Sequence, residues 1–182
     1  MFILFVALFI QLIMFTVLFL LLLYFISLVI SDFFGVPFVP TTHSSVDKIF
    51  SGIKIKKSEI FFDLGCGDGR TVFFVAKKYN CRAIGVEMNP LLNWYARIQK
   101  KLFKVSMARF LRTNIFSVDL AQANVIYMFL FPETVEKLKL KFLKECKPGT
   151  RIISHGFKVK NFEDHLSEYR ESKPFSTYYY TI

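Results

Sequence analysis

The hydrophobic pattern divides the chain at Asp32. From Met1 to Ser31 no residue is charged, and only Gln11, Thr16, Ser27 and Ser31 are clearly polar. A helix needs roughly 20 apolar residues to cross a bilayer. This run is longer, so it can span with tilt or begin in the interface. Its Phe and β-branched residues do not oppose a helix there, because lipid forces backbone groups to bond within the segment. A cleaved signal peptide would want a basic start, a shorter apolar core and a small-residue cleavage site. The flank instead reads LVISDFFGVP. Residues 1–31 are therefore expected to be a retained transmembrane anchor.

Beyond the anchor the periodicity alternates between strand and helix. Residues 32–45, including GVPFVPTTHSS, read as a proline-punctuated linker. Residues 46–182 read as one domain. A short helix over SVDKIFSGI, capped by Ser44 or Ser45, opens it. EIFFDL is a buried strand and RTVFFVAKKY a helix with one apolar face. RAIGVE is a second strand. NPLLNWYARIQKKLF is a helix with Asn89 at the cap and Pro90 at its first position. ARFLRT and NVIYMFL are strands, PETVEKLKLKFLKEC a helix, and RIISHGF a fifth strand. The tail, LSEYRES to FSTYYYTI, alternates like an antiparallel pair. Alternating strands and helices mean an α/β fold, a mostly parallel sheet covered on both faces.

Charge sharpens the division. All 24 Lys and Arg follow Asp32, and the net charge is +10. Positive flanks stay inside, so the domain is expected on the cytoplasmic side of a single span. Cys66, Cys81 and Cys146 are an odd number without metal-ligand spacing, as a reducing compartment allows. They read best as small buried hydrophobes. The basic clusters KIKK and KLKLKFLK read first as solvated faces and second as contacts to anionic headgroups. Nucleic acid is not expected, since the basic residues are scattered without a stacking platform among them.

The first strand ends in FFDLGCGDGR, residues 61–70. In a doubly wound sheet the first strand–helix loop is where ligands bind. The spacing is G-x-G-x-G, not the G-x-G-x-x-G of a dinucleotide fingerprint, whose third glycine position is Arg70 here. Asp63 and Asp68 would repel a pyrophosphate. No Gly-Lys-Ser/Thr follows, which excludes a P-loop. S-adenosylmethionine fits instead: its methionine end carries an ammonium and a sulfonium, so nearby carboxylates attract it. Glu87, ending the second strand, can accept two hydrogen bonds from a ribose diol.

With these residues the chain resembles the class I S-adenosylmethionine-dependent methyltransferases. It resembles most the archaeal protein-lysine methyltransferase family, which also includes membrane-anchored mitochondrial enzymes acting on lysines of the adenine nucleotide translocase and the ATP synthase c-subunit. The resemblance runs through PFVPT (37–41), DLGCGDGR (63–70), GVEMN (85–89), NIFSVDL (114–120), YMFL (127–130) and KPGTRIISHGF (147–157). It implies a Rossmann-like sheet of order 3-2-1-4-5-7-6 with strand 7 antiparallel. It also implies that Asp63, Gly65 and Gly67 line the methionine end, Glu87 holds the ribose, Met88 flanks the adenine, and Asn114 with Ile115 borders the base. Cys66, Asp68, Arg70 and Asn89 complete the expected cofactor-binding set. Pro40 and Thr41 would close over the methionine end near the acceptor. Two departures bear on the substrate: Gly156, where a larger and often acidic residue is expected, and the basic flank Arg109 and Arg112.

Methyl transfer from a sulfonium has a good leaving group, so positioning and desolvation supply most of the acceleration. A lysine acceptor must be neutral, which a less polar, sulfonium-bearing site favours. No dedicated base is required; His43 and His155 are the available histidines and read better as structural. Tyr127 and Phe129, with Phe131, are candidates for an acceptor channel, alternate ones being core. The Asp/Asn-Pro-Pro-aromatic signature of base-modifying enzymes is absent from YMFLFPE. The leading expectation is a membrane-anchored protein-lysine N-methyltransferase acting on a membrane protein. A methyltransferase of a quinone or lipid headgroup, and a non-catalytic cofactor-binding scaffold, are the alternatives.

Overall fold

A computed structural model describes residues 1–33 and 43–182. The PFVPT segment, with Pro40 and Thr41, lies outside the described residues. The chain divides into two compact units, Met1–Phe38 and Val39–Ile182.

Among the described residues the first unit holds one helix, α1 (Phe2–Phe33). Its stretch Phe2–Ile26, 25 residues, is long and apolar enough to cross a membrane. Large apolar side chains point outward around it, from Phe2 and Phe5 to Tyr24 and Phe25. The hydroxyl of Thr16 donates to the Leu12 carbonyl at 2.8 Å, so it presents no unpaired donor to its surroundings.

The second unit begins with α2 (His43–Ile49), one residue ahead of the expected cap. There follow β1 (Ile60–Leu64), α3 (Arg70–Tyr79), β2 (Arg82–Val86), α4 (Pro90–Leu102), β3 (Ala108–Leu111), β4 (Val125–Met128), α5 (Pro132–Glu145), β5 (Arg151–His155), β6 (Leu166–Arg170) and β7 (Thr177–Thr181). The seven strands form one sheet of order β3-β2-β1-β4-β5-β7-β6. β7 runs antiparallel to both β5 and β6. The other pairings are parallel. Strand order reverses between β1 and β4, which makes the carboxyl end of β1 the ligand-binding crevice.

Local chemistry accounts for the helix starts. Asn89 Oδ1 accepts the amides of Leu91 and Leu92, and Pro90 supplies a preset φ. α3 is different: its cap is Gly69 in left-handed conformation, which has no side chain to offer, and the amide of its first residue, Arg70, goes to the Asp68 carboxylate. The remaining orphan amides of α3 are left facing the loop before it.

In the core, one row of the sheet packs beneath α2 and α3. Asp63 pairs with Tyr127, Tyr127 with Ile153, and Ile153 with Tyr179 across the strands. Phe50 seals this row, its ring 5.8 Å from Phe61 and 5.6 Å from Tyr127. The Tyr179 hydroxyl donates to the Ile49 carbonyl at 2.8 Å, tying α2 to the sheet. Cys66, Cys81 and Cys146 are free and buried.

Candidate active site

The loop after β1 holds Gly65, Gly67 and Gly69 at φ of 78°, 54° and 81°, a conformation that side-chain-bearing residues rarely adopt. A Cβ on Gly65 would also lie 2.8 Å from Leu130 Cδ2. The loop is therefore a backbone cradle, pressed between β4's end and whatever it holds. The Gly65 and Cys66 amides donate to the Val86 carbonyl, at 2.9 and 3.1 Å, fastening the cradle to β2.

Glu87 sits immediately beyond β2. Its Oε2 accepts the Gly67 amide at 2.9 Å and its Oε1 accepts the Asn89 amide at 2.8 Å. One carboxylate thus joins the first two strand–helix loops. Each oxygen retains acceptor capacity, since a carboxylate offers about four lone-pair sites. Burial pushes the Glu87 carboxyl up, opposed by the amides of Asn89, Gly67 and Met88.

Asp63 is 2% exposed at the end of β1. Burial first, and then the charges of Glu87 and Asp68, push its carboxyl well above the usual carboxylate range. Asp68 is held in a bidentate ion pair by Arg70, with Nη2 to Oδ2 at 2.6 Å and Nε to Oδ1 at 3.0 Å. It also accepts the Arg70 amide at 3.2 Å through Oδ1. Burial, reinforced by Asp63, Glu87 and Asp68, pushes the Cys66 thiol up, so Cys66 is a wall rather than a nucleophile.

The remaining expected residues differ in exposure and bonding. Met88 is half-exposed beside Glu87, and Asn89 is spent on its cap. Asn114 is exposed and accepts the Phe116 amide at 2.9 Å, forming the turn that buries Ile115. Two residues escaped the sequence pattern. Gln99 of α4 donates to the Asp68 carbonyl at 3.3 Å and braces the loop. Asn93 is 2% exposed and its amide nitrogen has no hydrogen-bond partner among the described residues. Helical periodicity places both on the buried face of α4, but only the fold shows what they meet.

Beside the cradle a cleft of about 490 Å³ opens at the carboxyl ends of β4 and β5. Phe129, His155 and Phe175 form its wall, and Lys48, Arg170 and Lys173 stand on its rim. The Phe129 ring is 4.8 Å from His155 and 5.1 Å from Phe175. Gly156, at φ 91°, explains the first departure noted above: a Cβ there would come within 2.8 Å of Phe129. The aromatic wall takes the room that an acidic side chain would need. Of the candidate channel aromatics, Phe129 reaches the cleft, whereas Tyr127 is 2% exposed and packs against Phe50 in the core. His155 Nδ1 lies 2.9 Å from Thr177 Oγ1, and burial lowers its pKa to about 4. It is neutral at physiological pH and too weak a base to hold a proton there.

A crevice with three carboxylates and no lysine in its loop suits a nucleoside that ends in positive charge. The buried Asp63, raised by two neighbouring anions, is the clearest sign: a cation beside it relieves that repulsion. Fold and crevice together define a class I S-adenosylmethionine-dependent methyltransferase. The chain belongs to the ANTKMT methyltransferase domain family, whose model matches residues 63–165.

Individual relatives agree. A protein-lysine N-methyltransferase of Saccharolobus islandicus is 38% identical over 70% of this chain and 80% of its own length. A lysine N-methyltransferase of the ATP synthase c-subunit, from Homo sapiens, is 29% identical over 72% of this chain, which spans 57% of that protein. Among solved structures, an RNA methyltransferase of Salinibacter ruber with S-adenosylhomocysteine superposes with a TM-score of 0.75 at 28% identity. That match covers 79% of this chain and 94% of that one.

Proposed function

We propose that this enzyme is a membrane-anchored protein-lysine N-methyltransferase acting on membrane-associated protein. Residues 1–31 serve as anchor, 32–45 as linker and 46–182 as catalytic domain. The observation that carries the reading is the pairing of an apolar helix long enough to span a bilayer with a domain of this family. Relatives named for lysines of the ATP synthase c-subunit and of the adenine nucleotide translocase support it.

S-adenosylmethionine, when bound, supplies an activated methyl group on a cationic sulfur. The chain's own residues have three tasks. Glu87 orients the ribose end while its carboxylate stays fixed by the Gly67 and Asn89 amides. Met88, Asn114 and Ile115 border the base. Asp63, with Gly65 and Gly67, receives the cationic methionine end; Cys66, Asp68 and Arg70 shape the loop around it. For the acceptor, Phe129, Phe175 and Ile49 supply an apolar wall in a cleft that also carries Lys48, Arg170, Lys173 and Glu171; the apolar wall and the three cations together make an ammonium costlier there than a neutral amine. The proton leaves to water at the cleft mouth, since His155 is a poor proton holder. Pro40 and Thr41 are assigned to closure over the methionine end near the acceptor.

Incubating the full chain in native membranes with methyl-labelled S-adenosylmethionine tests this reading. Label in protein, recovered as methylated lysine after hydrolysis, is expected. Label in extracted lipid would favour the small-molecule alternative, and no transfer would leave a cofactor-binding scaffold.

A further inference from the structure

The outward face of α4 is built the wrong way round for a helix facing water. Asn93 and Ala96 are buried against the domain. On the opposite side, at helical spacing, stand Leu91, Trp94, Tyr95, Ile98 and Leu102, with Phe103 just beyond the helix. Leu91 is 45% exposed, Trp94 62%, Tyr95 50% and Leu102 70%. A surface helix normally turns charged residues outward, and a contiguous apolar face of this kind marks an interaction site.

The segment that carries this stripe is basic. Between Met88 and Val118 there is no Asp or Glu, while Arg97, Lys100, Lys101, Lys104, Arg109 and Arg112 fall in that span. Arg109 and Arg112 lie on or just after β3, the edge strand of the sheet, against which α4 packs. Lys77 of α3 adds a further cation, its Nζ 5.2 Å from the Phe103 ring. The second departure from the family pattern, the basic β3 flank, thus lies on the strand that α4 packs against.

We infer that α4 and the β3 edge form a membrane-docking face that seats in the interface of an anionic bilayer. An interfacial helix carries Trp and Leu on one face and Lys or Arg at its flanks, which is the composition here. Tryptophan and tyrosine settle at headgroup depth. Trp94, Tyr95 and Phe103 can stack on bases, but aliphatic Leu91, Ile98 and Leu102 interrupt them, a mixture that suits a lipid interface better than a stacking platform. Concentrated positive charge disfavours a second copy of the same face by self-repulsion. The inference rests on the membrane reading above and adds an orientation to it. α4 starts directly after Glu87, Met88 and its cap Asn89, so docking would hold the cofactor crevice at a fixed attitude to the bilayer.

Trp94 is the chain's one tryptophan, so it reports on this face alone. The full chain is reconstituted in phosphatidylcholine vesicles with and without phosphatidylserine, and vesicles are floated on a density gradient. Flotation tests the anchor; Trp94 fluorescence tests the face. In floated vesicles containing phosphatidylserine, blue-shifted emission and quenching by brominated lipid are expected, with protection from aqueous iodide. Added salt should reverse this in part. Reversing Lys101 and Lys104 to Glu should shift the docked-to-undocked ratio about fivefold per charge. Leu102→Ser, at an exposed position, should reduce lipid quenching without lowering thermal stability. Protein that floats while Trp94 stays open to iodide in both lipids overturns the inference but leaves the anchor standing. Protein that fails to float overturns the membrane reading itself. Shielding that follows protein density in neutral lipid would assign the face to a second copy, and shielding conferred by single-stranded RNA without vesicles would assign it to nucleic acid. Either result overturns a bilayer occupant.

Discussion

Replacing Glu87 by Gln separates cofactor recognition from folding. The carboxylate accepts two backbone amides, at 2.9 and 2.8 Å, and is the group proposed to hold the ribose. Gln keeps the shape but offers one oxygen, so one amide and one ribose hydroxyl lose an acceptor. A hydrogen bond to a charged group contributes about 1.5–3 kcal/mol. The dissociation constant for S-adenosylmethionine should therefore rise roughly tenfold to 150-fold, and that for S-adenosylhomocysteine equally, because both carry the ribose. Stability should move much less. Burial raises the Glu87 pKa, so the charge itself opposes folding at neutral pH, and removing it offsets the lost bond. An unliganded melting temperature within about 3 °C of the parent is expected, by the usual conversion for a chain of this size. Titration calorimetry with both ligands and a thermal melt read these quantities. Unchanged affinity would remove Glu87 from the ribose contact, and a large drop in melting temperature would show it to be a structural brace instead.

Three further outcomes are expected. Asp63 has a folded pKa above its unfolded one, so its contribution to stability is present at low pH and is lost as pH rises through the raised value. A cationic ligand reverses that preference, so S-adenosylmethionine binding should tighten with rising pH and release a proton, read as buffer-dependent heat that Asp63→Asn abolishes. Gly156→Asp forces a Cβ to within 2.8 Å of Phe129 at positive φ; overpacking of this kind costs about 1–3 kcal/mol, and the expected signature is a raised KM for the protein acceptor with cofactor affinity unchanged, equal losses of both placing Gly156 outside the acceptor cleft. Deleting residues 1–30 should leave cofactor binding nearly intact and lower the rate on membrane protein, since tethering supplies effective concentration; undiminished transfer in native vesicles would refute a selecting role for the anchor.

The element sequence was legible because both periodicities are strong: EIFFDL and NVIYMFL read as buried strands, and Asn89-Pro90 announced a helix, whereas the sheet order came with the family resemblance. The Asp63, glycine loop and Glu87 set was legible for the same reason, being local to two strand ends. The cleft was not. Phe129, Lys48, His155 and Phe175 lie far apart in sequence and meet only because β7 pairs with β5 and α2 caps that side. The cap of α3 was open to misreading, since Asp68 precedes a helix as capping acids do, yet its carboxylate turns to Arg70 and Gly69 takes the cap. The face of α4 was hidden by its own periodicity: an apolar stripe suggests a core contact until the fold shows which side is buried.

The placement of β7 between β5 and β6 has a bearing on timing. During synthesis β6 leaves the ribosome first but has no partner until Thr177–Thr181 follows, because its hydrogen bonds run to β7. Until then β5 is an open edge, and Thr177 and Phe175 are missing from the cleft wall. The cofactor crevice, built from β1, β2 and their loops, can assemble earlier. A nascent chain would thus gain the ability to bind its methyl donor before it gains a place to put an acceptor, which delays catalysis until the domain has been fully delivered.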